Sequence, residues 1–576
     1  MTHTSRRTLL SALAASAAVP LSALATAPAA RAAGDAVAAP LPVGLAGPPS
    51  CVTVAPLDAS WFTQVTLTSP LTATVLPGTP ARTEVTSGGR RVALLTHGAR
   101  TVVVPGPRRT FAENKQPFAE DFDRTLPNPA LNPATRPYWG NSPGGGTWET
   151  EGPVTGDFSV SPGRGLIALS TDGASRYATL KDDGITDVDV TAVAGFDKVP
   201  TGDACSYALL FGYASAENHL RARLSFLTTG AVELRVEKVT GGASAALGPV
   251  VTLATGVPAG TAWGIRVLRE GSRIRARAWR ASAGQPGTWH ADVTDPGSPK
   301  GRIGLRALAN QGCTSLPVTF SATAFEVADA AWATPPSVTH GDWVRVLPAP
   351  FDGTWTPALE QTVRAWTGSL APDALAYAAM FLPGAPAVTS GAGAAAGRKV
   401  LGEAQYSPAD AYGDRTVGAD FHEFMGVDWT FPNGKVKTAD PDFLGSLDCS
   451  GYTRMVYGYH MGVPVADMYD ASPARLPRTS EQMADHATGV RLARTTGATP
   501  DVLALLQPGD LLFWDTDKDG EVDHVGIHLG TDASGKARFV SSRKTVNGPT
   551  MADVAGASLL DGGGTYDTTL HTVHRI

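Results

Sequence analysis

The 576-residue sequence holds only four cysteines, Cys51, Cys205, Cys313 and Cys449, and their spacing does not fit a zinc site. Charge is also sparse. Asp, Glu, Lys and Arg make up 17% of the chain and the net charge is −6, which offers no basic surface for nucleic acid. Beyond residue 33 no run has the length and apolarity of a transmembrane helix. What is abundant instead is glycine (63), proline (44) and alanine, the composition of a loop-rich, mostly β secreted protein. A chain this long implies several domains with ample core.

Residues 1–33 are read as a targeting segment rather than as structure. Arg6-Arg7 directly precedes an uncharged Ala/Leu-rich run that ends in small residues such as Ala30-Arg31-Ala32, the pattern of a twin-arginine export signal. An uncleaved anchor is the alternative, and the alanine richness and A-x-A ending speak against it. No lipidation cysteine stands near the cleavage region. The chain is therefore expected to be secreted, extracellular or wall-associated, without a stable membrane anchor.

Turn-punctuated alternating runs predict a small β module over residues 50–112 and a longer β-sandwich over 118–329. Residues 330–354, with Pro335-Pro336, read as a linker, and residues 355–576 as the last domain. In the sandwich Tyr138, Trp139, Trp148, Trp279 and Trp289 are candidates for stacking on sugar rings, against the commoner alternative of core packing.

The chemistry concentrates in the last domain. Around Ser446–Val463 apolar residues recur at three-to-four spacing, which predicts an amphipathic helix closing at Gly462, with Pro464 beyond. Asp448 would be its N-cap. Cys449 would then stand in the first turn, where unpaired N–H groups and the positive end of the helix dipole favour a thiolate. Downstream, Leu511–Trp514 and Val525–Leu529 flank a polar turn and predict a β-hairpin whose second strand opens at His524. A lone cysteine is more often core and a lone turn-side histidine more often surface. Together they are the two halves of a nucleophile pair in which imidazole takes the thiol proton and returns one to the leaving amine. Such a pair needs no cofactor.

The text DCSG with its helix, then LQPGDLLFW, then HVGIHLG, resembles the NlpC-type family of cell-wall cysteine peptidases. The resemblance implies an α+β papain-like domain, Cys449 as nucleophile, His524 as general base and peptidoglycan stem peptides as partner, cleaved near γ-D-glutamyl and diaminopimelyl residues. The family's third polar residue, a His, Asn or Gln, falls here on Ser541 in RFVSSRK. That departure leaves the orienting role open between Ser541, Ser542, a backbone carbonyl and water. The family's PYxWGG text is absent, with Tyr406 in AQYSP the candidate for its tyrosine. His422 is read as packing or surface. Upstream, FAEDFDR, the strands WGIRV and IRARAW, and GRIGLRA before a terminal FEV strand are similar to concanavalin-like (laminin-G-like) sandwiches, which implies a cell-wall glycan as a second candidate partner. Two other readings stay open: a catalytically weak or inactive wall-binding protein, and a Cys-His acyltransferase.

With Cys449 free, the remaining three cysteines cannot all pair within one chain. Cys205 with Cys313 is the expected disulfide in an oxidising exterior, leaving Cys51 over. The hairpin turn carries Asp515, Asp517, Asp519 and Gly520, the first half of a D-x-D-x-D-G calcium loop whose closing Glu is replaced by Gly526. Calcium is thus a candidate ligand, and ordinary turn formation explains the same residues. Arg543 and Lys544 are candidates for a substrate carboxylate, or else a solvated strand end.

Overall fold

The computed structural model describes residues 52–54, 67, 70–113, 118–124, 139–140, 142, 147–180, 187–297, 299–327, 336–367, 369–409, 414–468, 474–553 and 556–576. Residues 1–33, read from the sequence as an export signal, lie outside them, as do Cys51 and Tyr138. Among the described residues no helix is long and apolar enough to cross a membrane.

The sandwich stands as expected. One sheet runs, in spatial order, through Ala243–Ala246, Val232–Thr240, Asn218–Phe226, Cys205–Ser215, Arg302–Ala309, Ser175–Leu180 and Trp148–Glu151. The other runs through Ala291–Thr294, Arg273–Arg280, Trp263–Glu270, Val188–Phe196, Val318–Val327, Arg164–Leu169 and Phe158–Ser161. Alternate residues such as Tyr207, Leu209 and Phe211, or Ile265 and Val267, meet between the sheets and bury their apolar surface there. Two of the candidate sugar-stacking aromatics belong to that core. Trp139 and Trp148 are fully buried, their indole N–H groups donating to Leu166 O and Glu120 Oε2. Trp279 lies over Gly264, and Trp289 is half-buried with the Arg277 guanidinium 4.2 Å from its ring centre. Cys205 and Cys313 are buried with their Sγ atoms 3.9 Å apart, as free thiols.

Residues 330–354, expected as a linker, contain the strand Ser337–Val346, which pairs antiparallel with Thr101–Ala112 of the small module. The pattern S-V-T-H-G-D-W-V-R-V buries Val338, Trp343 and Val344, a strand signal that the nearby Pro-Pro text obscured. The small module is therefore one sheet made from both sides of the sandwich, and the sandwich is an insertion between two of its neighbouring strands.

The last domain is built on a sheet ordered Val490–Arg494, Leu570–Arg575, Leu511–Trp514, His524–Thr531, Ala537–Arg543, Gly548–Thr550. The helix Cys449–Thr453 packs against its strand His524–Thr531 and continues as a wider, π-type turn over Arg454–His460. The expected amphipathic face is absent because this helix is central: of Cys449–His460 all but Tyr459 are buried. The small module is docked onto the domain by a bidentate pair between Arg109 and Asp373, both at 2.6 Å, and by Arg575 bound to Asp510 and Thr96. Asp373 also caps the helix Ala374–Ala379 and accepts from Val344 N, so the same carboxylate fixes a helix start and a module boundary.

Candidate active site

The N-cap is the organising contact. Asp448 Oδ1 accepts from Gly451 N at 2.7 Å, and Oδ2 from Gly418 N at 2.9 Å. Gly451 is required for a steric reason: a Cβ there would stand 2.1 Å from Ala419 O, so only glycine lets the helix head lie on Ala419. Cys449 follows the cap and is 6% exposed. Burial, then the adjacent Asp448 carboxylate, push its thiol up to about 12, opposed by the backbone N–H groups of Val525 and Ser450 and by Arg478. Its Sγ lies 4.0 Å from Asp523 O, at the entrance to the strand that carries His524.

His524 is buried as well, and burial followed by Arg543 lowers its imidazole to about 3. Both shifts favour the uncharged forms, a thiol at Cys449 and a neutral imidazole at His524, against the thiolate expected of a helix head. Ser541 is fully buried on the neighbouring strand, next to Gly526, whose added Cβ would stand 3.1 Å from both Ser541 Cβ and Trp514 Cη2. Ser541 Oγ has no hydrogen-bond partner, and neither has His524 Nε2. Ser542 is committed elsewhere, donating to Leu447 O at 2.5 Å.

Tyr406 is buried close to the thiol. Burial, then Cys449 and Asp448, hold its phenol well above the usual range. His422 is core, fully buried and lowered to about 4 by burial. Arg543 is not available to a substrate carboxylate: it is 2% exposed and donates to Gly556 O, Ala552 O and Ser558 Oγ, while Lys544 is exposed. In the hairpin turn the carboxylates of Asp515 and Asp517 come together with that of Asp523, within 4.8 Å of one another. Asp519 instead accepts from Glu521 N. An all-carboxylate set of this kind suits a hard cation such as calcium.

Sequence reasoning missed the buried ion network beneath Cys449. Arg478 Nη2 donates to Asp448 Oδ2 at 2.7 Å and its Nη1 to Ser450 Oγ at 2.6 Å, while its Nε stands 3.7 Å from Asp420 Oδ2. Arg454 grips Asp420 bidentately, both bonds at 3.0 Å. Burial acts against the Arg478 charge, and Asp448 and Asp420 outweigh it, holding the guanidinium above its ordinary value. The text L-P-R-T-S marks a helix start and carries no sign that its arginine reaches thirty residues back to the nucleophile's cap.

The helix headed by Cys449 packs on the antiparallel sheet that carries His524, which defines an α+β domain. Residues 433–555 match the NlpC/P60 family, so the chain carries an NlpC/P60 domain, and that match supports a cell-wall peptidase type of function. No curated protein matches the chain. Among solved structures, the carbohydrate binding module CBM66 from Bacillus subtilis is 15% identical, covering 31% of this chain and 94% of its own, with a TM-score of 0.22. A beta-1,3-glucanase from Mycobacterium marinum is 15% identical, covering 37% and 97%, with a TM-score of 0.24. A glycosyl hydrolase family 16 protein from Mycobacterium smegmatis is 14% identical, covering 37% and 99%, with a TM-score of 0.25.

Proposed function

We propose that this chain is a secreted cysteine endopeptidase that hydrolyses an amide bond in peptidoglycan stem peptides, of the γ-D-glutamyl–diaminopimelyl type. The observation that carries the reading is Cys449 at the capped head of a central helix, packed against the strand that opens with His524. The thiol proton passes to the imidazole as Sγ attacks the carbonyl carbon. Backbone N–H groups at the helix head stabilise the oxyanion. The amine leaves with the proton returned by the imidazolium, and water activated at His524 hydrolyses the thioester. Export through the signal at 1–33 and glycan contact through the sandwich belong to the same proposal. Calcium at Asp515, Asp517 and Asp523 is proposed as a ligand of the turn and takes no step in the reaction.

The test is mass spectrometry of muropeptides and free stem peptides incubated with the mature chain and with Cys449→Ala. A cleavage lost in the variant is expected and identifies the bond. Cleavage that survives in Cys449→Ala sinks the reading. The raised thiol and the unpartnered His524 Nε2 favour one second reading, a weak or inactive wall-binding protein. It is distinguished by retention of wall fragments with no hydrolysis by either protein.

A further inference from the structure

The orienting group for the catalytic imidazole is the missing part of this site. Ser542 is engaged with Leu447 O, and neither Ser541 Oγ nor His524 Nε2 makes a hydrogen bond. What does touch the imidazole is aromatic. The Trp514 ring centre lies 5.5 Å away at 37° and that of Tyr566 5.7 Å away at 36°. These two rings are themselves braced. Trp514 Nε1 donates to Tyr566 O at 2.7 Å, the rings meet edge-to-face at 5.2 Å, and Phe539 packs on both. The Arg543 guanidinium, fixed by its three acceptors, lies 5.3 Å from the centre of the Tyr566 ring. Tyr566 lies beyond residues 433–555, outside the segment that matches the family.

We infer that Trp514 and Tyr566, lying together on one side of the His524 imidazole with their own ring centres 5.2 Å apart, form a clamp that holds it from that side and orients it for proton exchange with Cys449. Tyr566 is then a positioning residue that does by ring packing what a polar third residue does by hydrogen bonding. The inference rests on the reading of Cys449 and His524 as nucleophile and base. The clamp acts at two stages. In the resting enzyme it limits rotation of the ring. When the proton moves from Sγ to the imidazole, the imidazolium lies 5.5 and 5.7 Å from two aromatic ring centres, a range in which cation–π attraction favours the transient charge. The same proton then goes to the leaving amine, so none is gained or lost over the cycle. The charged and titratable groups acting on the imidazole are Arg543, Asp448 and Tyr566 itself. Arg543 lowers its basicity and Asp448 raises it.

The experiment compares Tyr566→Leu, Tyr566→Phe and Ser541→Ala in the full chain, by stem-peptide kinetics and by the pH profile of Cys449 alkylation. Tyr566→Leu is expected to lower kcat at least tenfold with KM within threefold, and to move the alkylation profile by half a pH unit or more. Tyr566→Phe and Ser541→Ala are expected within about twofold of wild type. Unchanged kcat and profile in Tyr566→Leu overturn the clamp, as does a loss in Ser541→Ala equal to that in Tyr566→Leu. Should Tyr566→Leu not fold, imidazole NMR of the intact chain decides: a ring-current upfield shift of the His524 ring protons supports the clamp and its absence overturns it. A His524→Ala chain whose Cys449 alkylation profile matches wild type marks failure of the catalytic reading itself.

Discussion

Replacing Arg478 by methionine removes the guanidinium that joins the nucleophile's N-cap to the second buried aspartate. Methionine preserves much of the volume, so the cost is mainly electrostatic. Breaking a buried pair by deleting one partner costs about 3–5 kcal/mol. Here Asp448 keeps the N–H groups of Gly451 and Gly418 and the Ser450 hydroxyl, and Asp420 keeps Arg454, which places the expected loss near the lower bound, about 3 kcal/mol. Against a typical domain stability of about 5–15 kcal/mol that loss is large and measurable by urea unfolding. The cycle with Asp448→Asn isolates the pair. The double variant is expected to lose less than the sum of the singles, by about 1–2 kcal/mol. Arg478 also pulls the Cys449 thiol down, so the variant thiol should alkylate more slowly at neutral pH. A cost below about 1 kcal/mol with additive singles would refute the argument that the network holds the helix head.

Three further outcomes are expected. Burial lowers His422 and His574 to about 4 and His460 and His524 to about 3, so below pH 6.5 the unfolded chain binds protons the folded domain refuses and stability falls with pH. From pH 7 to 5.5 each costs about 1.2 kcal/mol, on the order of 5 kcal/mol for the four. The raised carboxyls of Glu113, Glu423 and Asp523 act in the opposite sense, and equal urea midpoints at the two pH values would contradict the histidine argument. With Sγ atoms 3.9 Å apart, Cys205 and Cys313 should join under an oxidising thiol–disulfide buffer, seen as a linked peptide in a non-reducing map. Cys205→Ser should then cost about 2–4 kcal/mol only under oxidising conditions, and two free thiols after oxidation would count against the pairing. Calcium is expected to raise the melting temperature in wild type and not in Asp517→Asn, while an identical response in both would remove that turn as the binding site.

The elements whose signal is local were legible in the sequence. The Cys449 helix start is written in Asp448 and Gly451, and the hairpin that carries His524 in two apolar runs around an Asp-rich turn. The sandwich followed from alternating strands. In each case a side chain's role is set by neighbours a few residues away, through capping, pleat or turn geometry. What the tertiary structure decided is whatever joins distant chain segments. Trp139 and Trp148 are aromatic either way, and only the packing of two sheets makes them core rather than sugar-binding. The strand Ser337–Val346 has its partner more than two hundred residues away, across the whole sandwich. Arg478 reaches Asp448, and Tyr566 reaches His524, because helix and sheet bring them together. Periodicity records which face of an element is apolar and is silent on which other element covers it. Cys449 and His524 as a candidate pair belong to the sequence; the charges beneath Cys449 and the rings beside His524 belong to the fold.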